Sequence, residues 1–159
     1  MTALAAGHAA VPLTQSRPVL AFDFGTRRIG VASGDLALGS AHPLVTLDAR
    51  DRARSQLEIS ALIEQWQPAQ LVVGVPCALD GSEHAMTRSA RAFARALARR
   101  HALPVAHVDE RFSSVEADAL LREAGADARA RARLVDAHAA CVILRAFIEQ
   151  QAARRQAAA

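Results

Sequence analysis

The sequence predicts an α/β domain built on a mixed β-sheet covered by helices. Three observations carry that prediction. Apolar runs of strand length recur at 19–24, 29–33, 44–47, 71–75 and 105–108. The first three are joined without a helical stretch between them. The later ones alternate with segments whose apolar residues fall at helical spacing. A meander followed by βαβ units puts antiparallel and parallel strands into one sheet.

Each element follows from local chemistry. Val19 to Phe24 is β-branched, aromatic and apolar, and Gly25-Thr26-Arg27 turns it into a second strand, Ile29 to Ser33. A short strand is expected around Leu44 to Leu47. Ser55 to Gln67 is helical, with Ile59, Leu62, Ile63 and Trp66 able to share a face and Pro68 ending it. Leu71 to Val75 is a continuous apolar run of the buried parallel kind. An Asp80-Gly81 turn and Ser82 as N-cap lead into a helix from Glu83 to Arg100, with Met86, Ala90, Phe93 and Leu97 as its apolar stripe. Val105 to Val108 is a strand. Ser113 and Glu116 form a capping box opening a helix to about Glu123. Residues 125–133 read as a polar, arginine-rich linker, and Leu134 to Gln150 as the last helix.

The 159 residues suit a single domain at 17–150, with a flexible lead at 1–16 and a fraying tail at 151–159. A hydrophobic content of 52% excludes a disordered chain. Cys77 and Cys141 lie far apart in apolar runs, which suits reduced thiols and a cytoplasmic protein rather than a disulfide framework or a zinc site. No apolar run approaches the ~20 residues of a membrane helix, and the N-terminus lacks the pattern of a signal peptide. All 19 basic residues are arginine, and the pI is about 10.0. Coding bias accounts for much of this, but forked guanidinium groups also suit phosphate.

Three acids stand out. Asp23 interrupts a buried strand, where an unpaired carboxylate costs several kcal/mol. It shares a strand face with Ala21 and Val19. A strand-end acid satisfied by the amides of the following turn is the structural alternative. Asp136 opens the last helix on the side of Ala140, Ile143 and Phe147, or alternatively serves the helix dipole. Glu110 follows the strand at 105–108 with the parity of Ala106 and Val108, while Asp109 points the other way. An exposed loop acid is its plain alternative. Converging, the three could hold two Mg²⁺ ions about 3.5–4 Å apart for phosphodiester cleavage. Magnesium needs few carboxylates when water and phosphate complete its shell.

Residues 20–32, Leu-Ala-Phe-Asp-Phe-Gly-Thr-Arg-Arg-Ile-Gly-Val-Ala, resemble the opening motif of the YqgF family. Three further blocks agree in order: 72–76 with 80–83, 109–117, and 135–140 with Ile143-Leu144. The resemblance runs from about Val19 to Gln150. It implies an RNase H-like fold with a five-stranded mixed sheet flanked by helices, akin to the RuvC resolvase. It implies a metal-dependent nuclease maturing the 5′ end of pre-16S rRNA, with Asp23, Glu110 and Asp136 as catalytic acids and ligands of Mg²⁺ or Mn²⁺. Burial reasoning reaches Asp23 and Asp136 but does not by itself fix Glu110. The family's lysine near the first turn is Arg27 here, and Leu134 stands where relatives often carry a basic residue.

Arg88, Arg91, Arg95 and Arg99 share one helix face, either simply solvated or tracking phosphates. The resemblance favours Arg91 as a substrate contact. Arg27 and Arg111 are the other candidate nucleic-acid contacts, although Arg111 could equally pair with Asp109. His138 lies well around the helix from Asp136, and His107 reads as structural. With Phe 5, Trp 1 and Tyr 0, base stacking is not expected to dominate binding. Alternatives are a Holliday-junction resolvase, which would need paired cuts and a dimer, or a catalytically silent nucleic-acid-binding module. An Asp-Phe-Gly-Thr phosphate loop of the sugar-kinase and actin type would need a second domain, for which the chain has no length. Pre-16S rRNA, branched DNA or a ribosomal precursor particle are the expected partners, without a membrane, for a monomer or weak dimer.

Overall fold

A computed structural model describes residues 16–77, 83–110 and 128–159. The elements in order are β1 (Pro18–Phe24), β2 (Arg28–Asp35), β3 (Ser40–Asp48), α1 (Arg52–Trp66), β4 (Gln70–Pro76), α2 (Ala85–His101), β5 (Val105–Glu110) and α3 (Ala128–Ala158). The five strands form one sheet in the order β3-β2-β1-β4-β5. β1 is antiparallel to β2 and parallel to β4, and β5 is parallel to β4. This is the expected mixed α/β sheet with helices on both faces. The expected turn at 80–82, the capping box at 113–116 and its helix lie outside the described residues.

Alternation along the central strands separates two cores. One face carries Val19, Ala21, Ala32, Val72 and Val108 against Ala140, Ile143, Leu144 and Phe147 of α3. The other carries Leu20, Phe22, Ile29, Val31, Leu71 and Val73 against Ile59 of α1 and Ala94 and Leu97 of α2. The α3 face is lined by small residues, so that one long helix crosses it closely.

Several boundaries differ from the sequence reading. β3 is a full edge strand rather than four residues. Pro43 is tolerated because β3 is at the sheet edge, next to a bulge at Val31/Ala32 of its partner. α3 begins inside the stretch expected to be a linker and continues through the expected fraying tail to Ala158. Alanine, arginine and glutamine are among the best helix formers, and that propensity prevails at both ends. α1 is capped by Asp51, which accepts from the Arg54 amide at 3.0 Å, and ends at Gln67 in the left-handed conformation before Pro68. Trp66, placed on the core face by spacing, is instead 37% exposed. α2 starts at Ala85, with His84 as N-cap. The Thr87 hydroxyl accepts from the His84 amide and donates to the Pro76 carbonyl at 2.5 Å, tying α2 to the end of β4.

Ser16 is held as well: its hydroxyl donates to Asp35 at 3.0 Å, and the Arg17, Ala37 and Leu38 amides complete that buried carboxylate. Among the described residues, no helix is long and apolar enough to cross a membrane.

Candidate active site

The two parallel neighbours β4 and β5 end at the same edge of the sheet as β1. Asp23 is the penultimate residue of β1, and its side chain faces α3. Its antiparallel partner is Gly30. A Cβ at Gly30 would overlap the carbonyl of Asp136 and crowd the Ala137 amide. The absent side chain therefore lets the backbone of α3 rest directly on β2, and brings Asp136 beside Asp23. Ala32 and Ala21 continue the same face one pair further along.

Glu110 arrives from the other side. It ends β5 opposite Pro76, on the face of Val108 and Ala106. A Cβ at Gly74 would overlap the Glu110 Oε2 atom and the Ile143 Cδ1 atom. Gly74 thus leaves the space through which the Glu110 carboxyl leans back over β4. There it hydrogen-bonds the Asp23 side chain.

The electrostatics follow from this crowding. Burial, then the negative charges of Glu110 and Asp136, push the Asp23 carboxyl from 3.8 up to about 8. At neutral pH the Asp23 carboxyl therefore keeps its proton beside Glu110. Asp136 has a counter-charge of its own: Arg28 Nε donates to its Oδ2 at 2.6 Å. The Asp136 side chain is 19% exposed and Arg28 55%, so the pair sits at the rim.

Arg28 is the residue that sequence reasoning overlooked. The signal was available: strand alternation places Arg28 on the face of Gly30 and Ala32, the same face as Asp23. The other candidates are dispersed. Arg27 is exposed on the turn between β1 and β2, where its carbonyl accepts from the Ala49 amide at 2.8 Å. Arg91 is ion-paired with Glu83. Arg111 lies outside the described residues. Burial, then Arg91 and Arg95, lower the pKa of His107. Burial, then Arg145, does the same to His138. Burial pushes the Cys141 thiol up.

Among the described residues, no three His, Cys, Asp or Glu side chains form a ready-made cation cage. Asp136 is turned onto Arg28 rather than toward a common centre. The donor chemistry nevertheless fits a hard divalent cation. It offers only carboxylate oxygens, on a half-open rim where water and phosphate could supply the remaining ligands. Burial and the two neighbouring carboxylates raise the pKa of Asp23, and a bound cation would oppose that shift.

Comparison with known proteins places the family and the fold. The family model described as RuvX, Holliday junction resolvase, matches residues 17–150. A relative from Dechloromonas aromatica is 50% identical over 131 residues, covering 82% of this chain and 90% of its own. One from Methylobacillus flagellatus is 49% identical over 139 residues, covering 87% and 95%. Both carry the provisional name pre-16S rRNA nuclease. Thermus thermophilus RuvC superposes with a TM-score of 0.53 at 14% identity, covering 86% of this chain and 96% of that one. RuvC bound to a Holliday junction gives the same score at 16% identity, covering 85% and 95%. These two likenesses establish the RNase H-like fold. With its opening motif, its sheet order and a family match spanning both cores, the chain belongs to the RuvX family, also called YqgF.

Proposed function

We propose that this chain is a divalent-metal-dependent nuclease that hydrolyses phosphodiester bonds in the 5′-end maturation of pre-16S rRNA in the cytoplasm. The observation that carries this reading is the Asp23 carboxyl, half-buried against Glu110 and Asp136 with its pKa raised to about 8. A structural acid would be paired, as Asp35 is. Asp23 and Glu110 in contact, with Asp136 beside them on Arg28, suit a site completed by cations and an anionic substrate.

Asp23, Glu110 and Asp136 would hold Mg²⁺ or Mn²⁺. Bound there, such ions activate water and stabilise the leaving oxygen. The chain's own residues do the rest. Asp23 is fixed by the central strand and supplies a rigid donor. Glu110, hydrogen-bonded to Asp23, is positioned to orient water and accept its proton. Arg28 holds Asp136 and is exposed enough to turn toward a phosphate oxygen. Arg27 and Arg91 would contact the phosphate backbone on either side. Arg111 follows Glu110 directly in sequence and is assigned to the same role.

The relatives' names favour ribosomal RNA, and the family description favours a four-way junction. One assay separates them: a pre-16S fragment and a synthetic junction, each incubated with wild type and Asp23→Asn in Mn²⁺. Cleavage of the RNA alone, lost in Asp23→Asn with RNA binding retained, is the expected result. Undiminished cleavage by Asp23→Asn overturns the site. Preferential, symmetric cutting of the junction overturns the substrate.

A further inference from the structure

Opposite the acid cluster, on the other face of the sheet, α1 and α2 part over the end of β1. They leave a half-open cavity of about 400 Å³. That volume lies in the range of small-ligand sites. Its floor is Phe24, Ile59, Phe93 and Leu97. Phe24 and Phe93 stack with ring centroids 4.8 Å apart and planes inclined by 29°. Both are only half buried, so each has surface left to contact a guest. The sequence pattern assigns these rings to the core, and the fold stacks one on the other at the cavity floor, each with part of its surface left open.

The rim has one sign of charge. Arg52 and Arg100 border the cavity and are exposed, and among the described residues no aspartate or glutamate lines it. An aromatic floor under a cationic rim matches an anion with a planar apolar part, which is the chemistry of a nucleotide. The position matters as much. Phe24 directly follows Asp23, and strand alternation points the two side chains to opposite faces. Only the turn of Gly25, Thr26 and Arg27 separates the groove from the acids, and Thr26 and Arg27 are exposed.

We infer that this groove receives an unpaired base of the substrate strand, one or two nucleotides from the bond held at Asp23. The strand crosses the β1–β2 turn, its base lies on the Phe24–Phe93 pair, and its phosphate meets Arg52 or Arg100. This inference rests on the nuclease reading and extends it to single-stranded substrate at that point.

The test measures binding of a short labelled single-stranded RNA by fluorescence anisotropy, in EDTA so that the strand stays intact. Ala92→Trp fills the groove from an exposed position on α2, and Arg100→Glu reverses the rim charge. Neither touches the acid cluster. Each should weaken binding by about tenfold, the worth of one stacked base or one desolvated phosphate contact. Thermal melting close to wild type confirms that both variants fold. In wild type, abasic substitution should weaken binding at one position only, near the cleaved bond. In Ala92→Trp that position should become silent. Affinities within twofold of wild type for both variants overturn the inference, as does a wild-type protein that binds no single strand. AMP or GMP bound in the groove, with abasic positions all silent, assigns it to a free nucleotide and also overturns it. Cleavage by Asp23→Asn is read separately. Groove-independent binding with Asp23-dependent cleavage sinks the groove alone, and the converse sinks the acid site alone.

Discussion

The carbonyl of Asp136 occupies the place where a side chain at Gly30 would begin. Because Gly30 is also the cross-strand partner of Asp23, one missing Cβ sets how closely α3 brings its acid to the central strand.

Gly30→Ala therefore forces backbone against backbone, which a side-chain rotation cannot relieve. We expect a destabilisation of roughly 1–3 kcal/mol or more, read as a lower urea midpoint, with cleavage falling further than stability because Asp136 is displaced. Gly39→Ala is the control. It has open space around it but a φ of +68°, so it should cost about 1 kcal/mol and leave cleavage intact.

Asp23 should make the metal-free protein less stable as pH rises. Its carboxyl has a folded pKa of about 8 against 3.8 for an unperturbed aspartate. The native state thus holds a proton that the unfolded chain releases between about pH 4 and 8. Stability is fully present below that window and is lost progressively through it, by on the order of a few kcal/mol. Asp23→Asn should flatten this dependence and melt higher than wild type above pH 8 without cation. The affinity for Mn²⁺ should rise with pH over the same window, because binding displaces the Asp23 proton. Melting temperatures from pH 5 to 9, with and without Mn²⁺, check both statements. A flat wild-type profile would contradict them.

Much of this was legible in the chain, for physical reasons. The strands at 19–22 and 71–75 are continuous apolar runs, and burial on both faces leaves no other reading. Asp23 is conspicuous because such a run does not admit an unpaired acid. Glu110 was not legible from its own surroundings. Its role depends on Gly74 clearing a space on the neighbouring strand β4, and strand pairing is not written locally. Arg28 was legible by parity but was hidden behind Arg27, which carries the family motif. The start of α3 was misread because arginine at 129, 131 and 133 suggests solvent, yet alternating Ala and Arg also favours helix. The groove was invisible, since Phe24 and Phe93 lie on elements 69 positions apart whose packing only the fold reveals.

Arg28 competes with a cation for Asp136. Their ion pair sits at the rim with the arginine 55% exposed, so its loss should cost only about 0–1 kcal/mol. Arg28→Gln should lower the metal-free melting temperature slightly and enlarge the rise produced by Mn²⁺, since Asp136 is released for ligation. If the arginine also meets substrate phosphate, RNA affinity falls in the same variant while Mn²⁺ affinity improves. A Mn²⁺-induced shift smaller than that of wild type would show that Arg28 supports the cation site instead of competing with it.

Thr87 is fully buried, yet it is hydrogen-bonded to the Pro76 carbonyl and the His84 amide. Pro76 is the register partner of Glu110, so this hydroxyl fixes the strand end against which Glu110 is placed. Thr87→Val keeps the shape and leaves a buried carbonyl and an amide without their hydroxyl partner. The expected cost is about 1–3 kcal/mol. Thr87→Ser retains the hydroxyl and loses only a methyl group, at about 1 kcal/mol. A lower urea midpoint for valine than for serine, with cleavage reduced in valine alone, ties the loss to the hydroxyl bond. Equal midpoints would assign Thr87 to packing.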